Sequence, residues 1–324
     1  MGNPLRCVFM GTPEIAVASL QAMIRDGFPP VCIVTTPDKP AGRGLKMHQS
    51  AVRLFALQTS IPVLQPERLS DPEFLQELSG FQPDVIVVVA FRRLPQEVLD
   101  IPRIGSFNLH ASLLPDYRGA APIQWAVMNG ETETGVTTFM LDKNIDTGKI
   151  LYQDKVEITE MQTAGEVHDV LMERGAKLVV QTLRSIETGS YQLIEQSDIV
   201  KSIGIIHKAP KIFKENCQIS WTRGVKETFN MIRGLSPYPG AFTIISSPAN
   251  QPFVLRVLTS HYEISPAALK NGILETDGAT YLRVSCTDGY IYFRQVQLAG
   301  KKLMGIDEFL RGFRMNDAWQ VQML

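Results

Sequence analysis

An unbroken apolar run, Val85-Ile86-Val87-Val88-Val89-Ala90, constrains this chain more than any other stretch. β-branched side chains crowd a helix and suit a pleated strand. A strand with no polar alternation has to be covered on both faces, as at the centre of a parallel sheet. The surrounding sequence follows the same grammar. Leu5 to Met10 reads as a buried strand. Gly11-Thr12-Pro13-Glu14 then opens a helix, with Thr12 as a candidate N-cap and Pro13 at the first helical position. Ile15, Ala18, Leu20 and Met23 continue that helix until Gly27 stops it. Val31 to Thr35, Phe107 to Leu109 and Val136 to Leu141 are further strands. This alternation predicts a doubly wound, mostly parallel α/β sheet.

Glu166 to Ile186 carries apolar residues near helical spacing and predicts a long helix. No period is clear from Ser190 to about Ile206, which reads as a linker. Beyond it the pattern changes. Cys217 to Trp221, Ala241 to Ile245, Phe253 to Leu258, Tyr281 to Ser285 and Tyr290 to Gln297 read as short strands. Asn271-Gly272, Asp277-Gly278 and Asp288-Gly289 supply turns, and one helix is expected near Val225 to Arg233. A small, mostly antiparallel β-barrel follows. The expected division is a catalytic domain over residues 1–189, a linker over 190–206 and a barrel domain over 207–324.

Charge divides along the same boundary. Residues 208–324 hold 14 Lys+Arg against 9 Asp+Glu, a net of +5, while the rest of the chain sums to −6. A basic barrel suits a nucleic-acid surface, although ordinary solubility charge has the same magnitude. No apolar run approaches the roughly 20 residues that span a bilayer. The N-terminus has neither the basic region nor the apolar core of a signal peptide. Cys7, Cys32, Cys217 and Cys286 form no CxxC pair and read as buried free thiols, which suits the cytoplasm. His48, His110, His168, His207 and His261 lack metal-ligand spacing, so no metal site is expected. Nothing suggests an oligomer, and a monomer is expected.

Asn108 and His110 stand two residues apart at the end of a predicted strand, where alternation puts both side chains on one side. The carboxyl ends of strands are where open α/β sheets build their sites. An amide donor, an imidazole and a nearby carboxylate form a set for acyl transfer, and no covalent nucleophile accompanies them. Asp142 and Asp146 lie in the loop after the strand that ends at Leu141, and residues alone leave the two tied. An Asx-turn is the alternative for either. Ser112-Leu113-Leu114-Pro115 offers an exposed apolar pair, either a wall for a flat heterocycle or a turn over the core. The loop Asp38 to Lys46 is basic and glycine-rich, suited to phosphate or simply solvated. It is no P-loop, and Gly11 is no dinucleotide fingerprint.

These motifs stand in a familiar order. Phe9-Met10-Gly11-Thr12-Pro13-Glu14, Pro40-Ala41-Gly42-Arg43-Gly44, Asn108-x-His110-x-Ser112-Leu113-Leu114-Pro115, Arg118-Gly119-Ala120-Ala121-Pro122-Ile123 and Asp146-Thr147-Gly148 resemble the 10-formyltetrahydrofolate-dependent formyltransferase family. Ser236-Pro237-Tyr238-Pro239-Gly240-Ala241 and Ala299-Gly300-Lys301-Lys302-x-Met304 narrow the resemblance to the branch acting on methionyl-tRNA. The match runs from near residue 5 to near residue 312. It implies a Rossmann-like domain, an OB-like barrel, and formyl transfer from 10-formyltetrahydrofolate to methionyl initiator tRNA.

The resemblance also implies site residues. Asn108, His110 and Asp146 would be catalytic, which decides between the two aspartates. Ser112, Leu113, Leu114 and Pro115, with Val89, Ala90 and Phe91, would line the folate pocket. Arg43 and Lys46 would grip the acceptor end of the tRNA, and Lys208, Lys211, Lys301 and Lys302 its backbone. The chain departs from the family at Ala90-Phe91-Arg92-Arg93, where relatives have Tyr-Gly and then apolar residues. Arg92 or Arg93 would then reach the folate tail or the tRNA. A folate enzyme acting on a small amine is the rival reading. It predicts indifference to tRNA.

Overall fold

The computed structural model describes residues 4–41, 46–203, 205–247, 250–266, 270–313 and 319–323. Contacts divide the chain into two units. The first comprises residues 1–119, 134–156 and 169–208; the second comprises 120–133, 157–168 and 209–324.

The first unit is built on a seven-stranded sheet. Its strands are β1 (Cys7–Gly11), β2 (Cys32–Val34), β3 (Val63–Leu64), β4 (Val85–Val89), β5 (Gly105–His110), β6 (Glu133–Met140) and β7 (Ile150–Glu157). Their spatial order is β7-β6-β5-β4-β1-β2-β3. The valine strand β4 is central and wholly buried, pairing in parallel with β1 on one side and β5 on the other. β6 runs antiparallel to β5, with Asn108 opposite Phe139 and His110 opposite Thr137. The sheet is therefore mostly parallel with a reversed margin. β7 has no clear sequence signal, because only its first turns of the pleat are apolar and the rest alternates with Gln153, Asp154 and Lys155.

Helix α1 (Glu14–Arg25) begins one residue later than its sequence suggests. Pro13 holds the N-cap position and no side chain caps the helix, so Thr12 does not serve as its cap. The long helix α2 (Ala164–Thr188) covers the expected span. Its Thr182 hydroxyl meets Thr138 of β6 at 2.8 Å inside the core, a polar pin that fixes the rotation of helix on sheet. A shorter helix, α3 (Gln196–Ile203), forms within the aperiodic stretch 190–206.

The second unit carries a barrel-like antiparallel sheet. Its strands are β8 (Ala241–Ser247), β9 (Asn250–Ile264), β10 (Leu274–Thr276), β11 (Leu282–Cys286), β12 (Gly289–Leu298) and β13 (Gln320–Val321), in the order β10-β11-β12-β9-β8-β13. Helix α4 (Val225–Gly234) packs Val225, Phe229 and Ile232 into the same core. The expected strand Cys217 to Trp221 is instead a 3-10 turn over Lys214–Cys217 and a single bridge from Gln218 to Phe242. Its apolar alternation reports core packing rather than pairing: Ile219 and Trp221 are fully buried, and the Trp221 indole donates to Thr243. All four cysteines are free and buried.

Candidate active site

Strand β5 ends with Asn108 and His110, and its neighbours explain why they face one side. Phe107 and Leu109 point into the core, so alternation turns Asn108 and His110 the other way. The Asn108 side chain is half-buried and has no hydrogen-bond partner among the described residues. Its donors are free for an incoming oxygen.

His110 is buried, hydrogen-bonded at one ring nitrogen and faced by a carboxylate at the other. Nε2 lies 2.9 Å from the Tyr117 carbonyl oxygen. A carbonyl only accepts, so Nε2 carries the proton. Tyr117 presents that carbonyl from a left-handed backbone, φ +56°, with its own ring stacked on His207. Nδ1 faces the Asp146 carboxylate, 4.0 Å from Oδ2. Both side chains are largely screened from water, at 7% and 14% exposure.

The loop after β6 separates the two aspartates that sequence left tied. Asp142 Oδ1 accepts from the Asn144 backbone N–H at 2.8 Å, and the Thr147 hydroxyl donates to both carboxylate oxygens. Asp142 is the Asx-turn residue that ties the loop. Asp146, at φ +55°, points its carboxylate to His110, and Oδ2 accepts the Gly119 N–H at 3.0 Å. Gly148 lets the chain return to the sheet: a Cβ there would meet the Met140 carbonyl oxygen at 1.7 Å. Only glycine allows that approach.

Gln196, the first residue of α3, locks this loop from behind. Its Nε2 donates to the carbonyls of Asp146 and Gly148 at 3.0 and 2.7 Å. Its Oε1 accepts from Arg118 at 3.0 and 2.6 Å. Burial holds the Arg118 guanidinium below its usual pKa, offset by the charges of Asp146 and Asp142. No periodicity or motif marks Gln196, one polar residue among Glu195, Ser197 and Asp198 in an aperiodic stretch.

The other expected site residues scatter more. Ser112 is fully buried, donating to the Asp116 carbonyl, and Leu114 is 1% exposed in a cluster with Phe139 and Ile150. Leu113 and Leu114 are thus no exposed pair: Leu113 is half-buried, Leu114 is core, and Ser112 and Pro115 are buried in the turn. Val89 is buried as well, whereas Ala90 is exposed at φ +47° and Leu113 and Phe91 are half-buried. Arg92 and Arg93 are occupied within the first unit. Arg92 donates to the Pro66 and Glu67 carbonyls, and Arg93 to that of Lys143.

Arg43 lies outside the described residues. Lys46 begins a short strand, Lys46–His48, paired with Lys39–Ala41. Lys208, Lys211, Lys301 and Lys302 are exposed. Lys211 lies over the Phe213 ring, and Lys302 pairs with Glu308 at 3.1 Å.

Comparison with known proteins identifies the family. The family described as Formyl transferase matches residues 5–183, and its C-terminal domain family matches residues 211–314. A methionyl-tRNA formyltransferase of Bacteroides thetaiotaomicron is 46% identical over 317 residues, covering 98% of both chains. That of Flavobacterium johnsoniae is 42% identical, covering 98% of this chain and 99% of its own. Among solved structures, an N-formyltransferase of Helicobacter canadensis, in complex with folinic acid and dTDP-3-aminofucose, shares the fold. Its TM-score is 0.63 at 20% identity, over 89% of this chain and 98% of its own. HypX of Aquifex aeolicus with tetrahydrofolic acid gives 0.60 at 16%, over 95% of this chain and 47% of its own. With both domain families matched and relatives this similar along nearly their whole length, the chain belongs to the methionyl-tRNA formyltransferase family.

Proposed function

We propose that this enzyme moves the formyl group of 10-formyltetrahydrofolate onto the α-amino group of methionyl initiator tRNA in one displacement, with no covalent enzyme intermediate. The observation that carries the reading is the convergence of a free Asn108 amide, an oriented His110 and the Asp146 carboxylate at the end of one strand. The amine attacks the formyl carbon, forming the new C–N bond and turning the carbonyl into an oxyanion. Asn108 donates to that oxygen. Collapse breaks the bond to folate N10, which takes up the proton the amine gives away.

His110 manages that proton. With Nε2–H committed to Tyr117, Nδ1 is the nitrogen left to take and return the proton, and the Asp146 carboxylate faces it. Gly119 N–H and Gln196 fix the carboxylate and its backbone. Ala90, Phe91 and Leu113 are the members of the expected folate wall with surface to offer, so the pterin edge rests on them. Arg43 and Lys46, with Lys208, Lys211, Lys301 and Lys302, supply phosphate contacts for the tRNA.

The test supplies 10-formyltetrahydrofolate with methionyl-tRNA, free methionine or an amino-sugar nucleotide, and follows formylated product by mass. Formylmethionyl-tRNA as the dominant product supports the reading. Equal or faster use of a small amine overturns it.

A further inference from the structure

Tyr238 is 78% exposed, unusual for a large aromatic side chain in a folded domain. Its place in the chain makes it a rigid projection rather than a loose one. Pro237 precedes it with a fixed φ, and Pro239 follows, which restricts the Tyr238 backbone to extended geometry. The loop closes behind it: Gly240, at φ +87°, donates its N–H to the Leu235 carbonyl at 2.8 Å. The far side is braced at Gly165, where a Cβ would lie 2.5 Å from Pro237 Cδ. Helix α4, which leads into the loop, is anchored by Arg233, whose Nη1 donates to the Gln162 carbonyl at 2.9 Å. The ring thus stands in solvent on a braced backbone, so the freedom lost on binding is mainly that of its own side chain.

A second feature lies beside it. Arg256, on β9 opposite Phe242, runs past the same loop: a Cβ on Gly240 would sit 3.6 Å from its Cδ. Arg256 is exposed and has no ion pair or hydrogen bond among the described residues. Other arginines of this unit are engaged: Arg223 with Glu227, Arg283 with Glu275, Arg311 with Asp307 and Arg294 with His261. An exposed aromatic ring and an unpaired guanidinium at one loop are what a single nucleotide needs, one surface for the base and one cation for its phosphate. The unpaired, solvent-exposed guanidinium favours an anionic partner here over an apolar peptide.

We propose that Tyr238 and Arg256 form a nucleotide grip for the RNA substrate. Tyr238 stacks on an unpaired base, and Arg256 binds the phosphate next to it. The proposal rests on the methionyl-tRNA reading and adds two residues to it, neither near Asn108, His110 or Asp146 in sequence.

The experiment measures formylation of methionyl-tRNA by wild type, Tyr238→Ala, Tyr238→Phe and Arg256→Gln across a salt series, with KM determined separately for each substrate. Loss of one base stack predicts a KM for tRNA raised on the order of 5- to 100-fold in Tyr238→Ala. Tyr238→Phe keeps the wild-type value, because stacking needs no hydroxyl. Arg256→Gln weakens tRNA use and lowers the salt slope by roughly 0.7–0.9, one phosphate contact, while Tyr238→Ala leaves the slope unchanged. KM for 10-formyltetrahydrofolate stays constant throughout. Wild-type KM for tRNA in Tyr238→Ala, or an unchanged salt slope in Arg256→Gln, overturns the grip and leaves the enzyme's substrate standing. A wild type inert toward methionyl-tRNA overturns the substrate reading itself.

Discussion

Gln196→Ala tests whether the Asp146 carboxylate is held from behind. Gln196 is 2% exposed and makes four hydrogen bonds, two to the carbonyls of Asp146 and Gly148 and two from Arg118. Truncation leaves two carbonyls without their donor, at about 1–3 kcal/mol each, and frees a partly desolvated guanidinium. Water entering the vacated space recovers part of this, so a net destabilisation of about 2–5 kcal/mol is expected. The catalytic effect is separate. Asp146 sits in a left-handed conformation that the surroundings must enforce, and a misplacement of about 1 Å in such a site costs on the order of 100-fold in rate. Urea unfolding reads the first quantity and single-turnover formylation of methionyl-tRNA reads the second, at a temperature where the variant stays folded. Gln196→Glu sharpens the test. It keeps acceptors for Arg118, offers no donor to the two carbonyls, and adds negative charge beside Asp146. It should lose at least as much rate as the alanine variant. A Gln196→Ala enzyme with the wild-type single-turnover rate and a lowered urea midpoint would refute the positioning argument, leaving Gln196 a structural residue alone.

Two further outcomes follow from the same geometry. Asp142→Ala unties the Asx-turn and should cost about 1 kcal/mol in stability with a rate loss below tenfold, whereas Asp146→Ala should lose rate far more than stability; rate and urea midpoint measured together on both variants check this. Burial pushes the thiols of Cys7 and Cys32 up to about 12 and that of Cys286 to about 11, so native protein at pH 8 should leave these three unmodified by iodoacetamide and react only in denaturant. The sign for stability follows. A thiol pKa raised in the folded state leaves stability whole below pH 9 and removes it as pH rises from 9 towards 11 to 12, at up to ~1.4 kcal/mol per pH unit for each thiol. A midpoint of unfolding that held constant from pH 9 to 10.5 would contradict it.

Much of the fold was legible because the apolar pattern has one physical reading. The valine strand has to be covered on both faces, and the structure puts it at the centre of a parallel sheet. Asn108 and His110 were legible for a related reason, since a period of two settles which side they share. Where sequence fell short, the missing information is three-dimensional. Ile219 and Trp221 alternate like a strand because both pack into the barrel core, yet only Gln218 makes a bridge. Asp142 and Asp146 are equivalent as letters, and they part only when Thr147 turns to one and Gly119 to the other. Ser112 and Leu114 carry a family motif, and burial gives them the work of shaping a turn. Gln196 lies where no periodicity or motif points, and Arg256 lies in an expected strand whose pattern says nothing of its pairing. One acts through long-range carbonyl contacts, and the other stands out only because neighbouring arginines are paired.

The central claim is that Asn108 serves the transition state with a donor that has no other partner among the described residues. Single-turnover formylation of methionyl-tRNA by Asn108→Ala, at saturating 10-formyltetrahydrofolate, tests it most directly. The account predicts a rate lower by about 10²–10³, with tRNA affinity and urea midpoint near those of wild type. A rate within a factor of a few of wild type would contradict it.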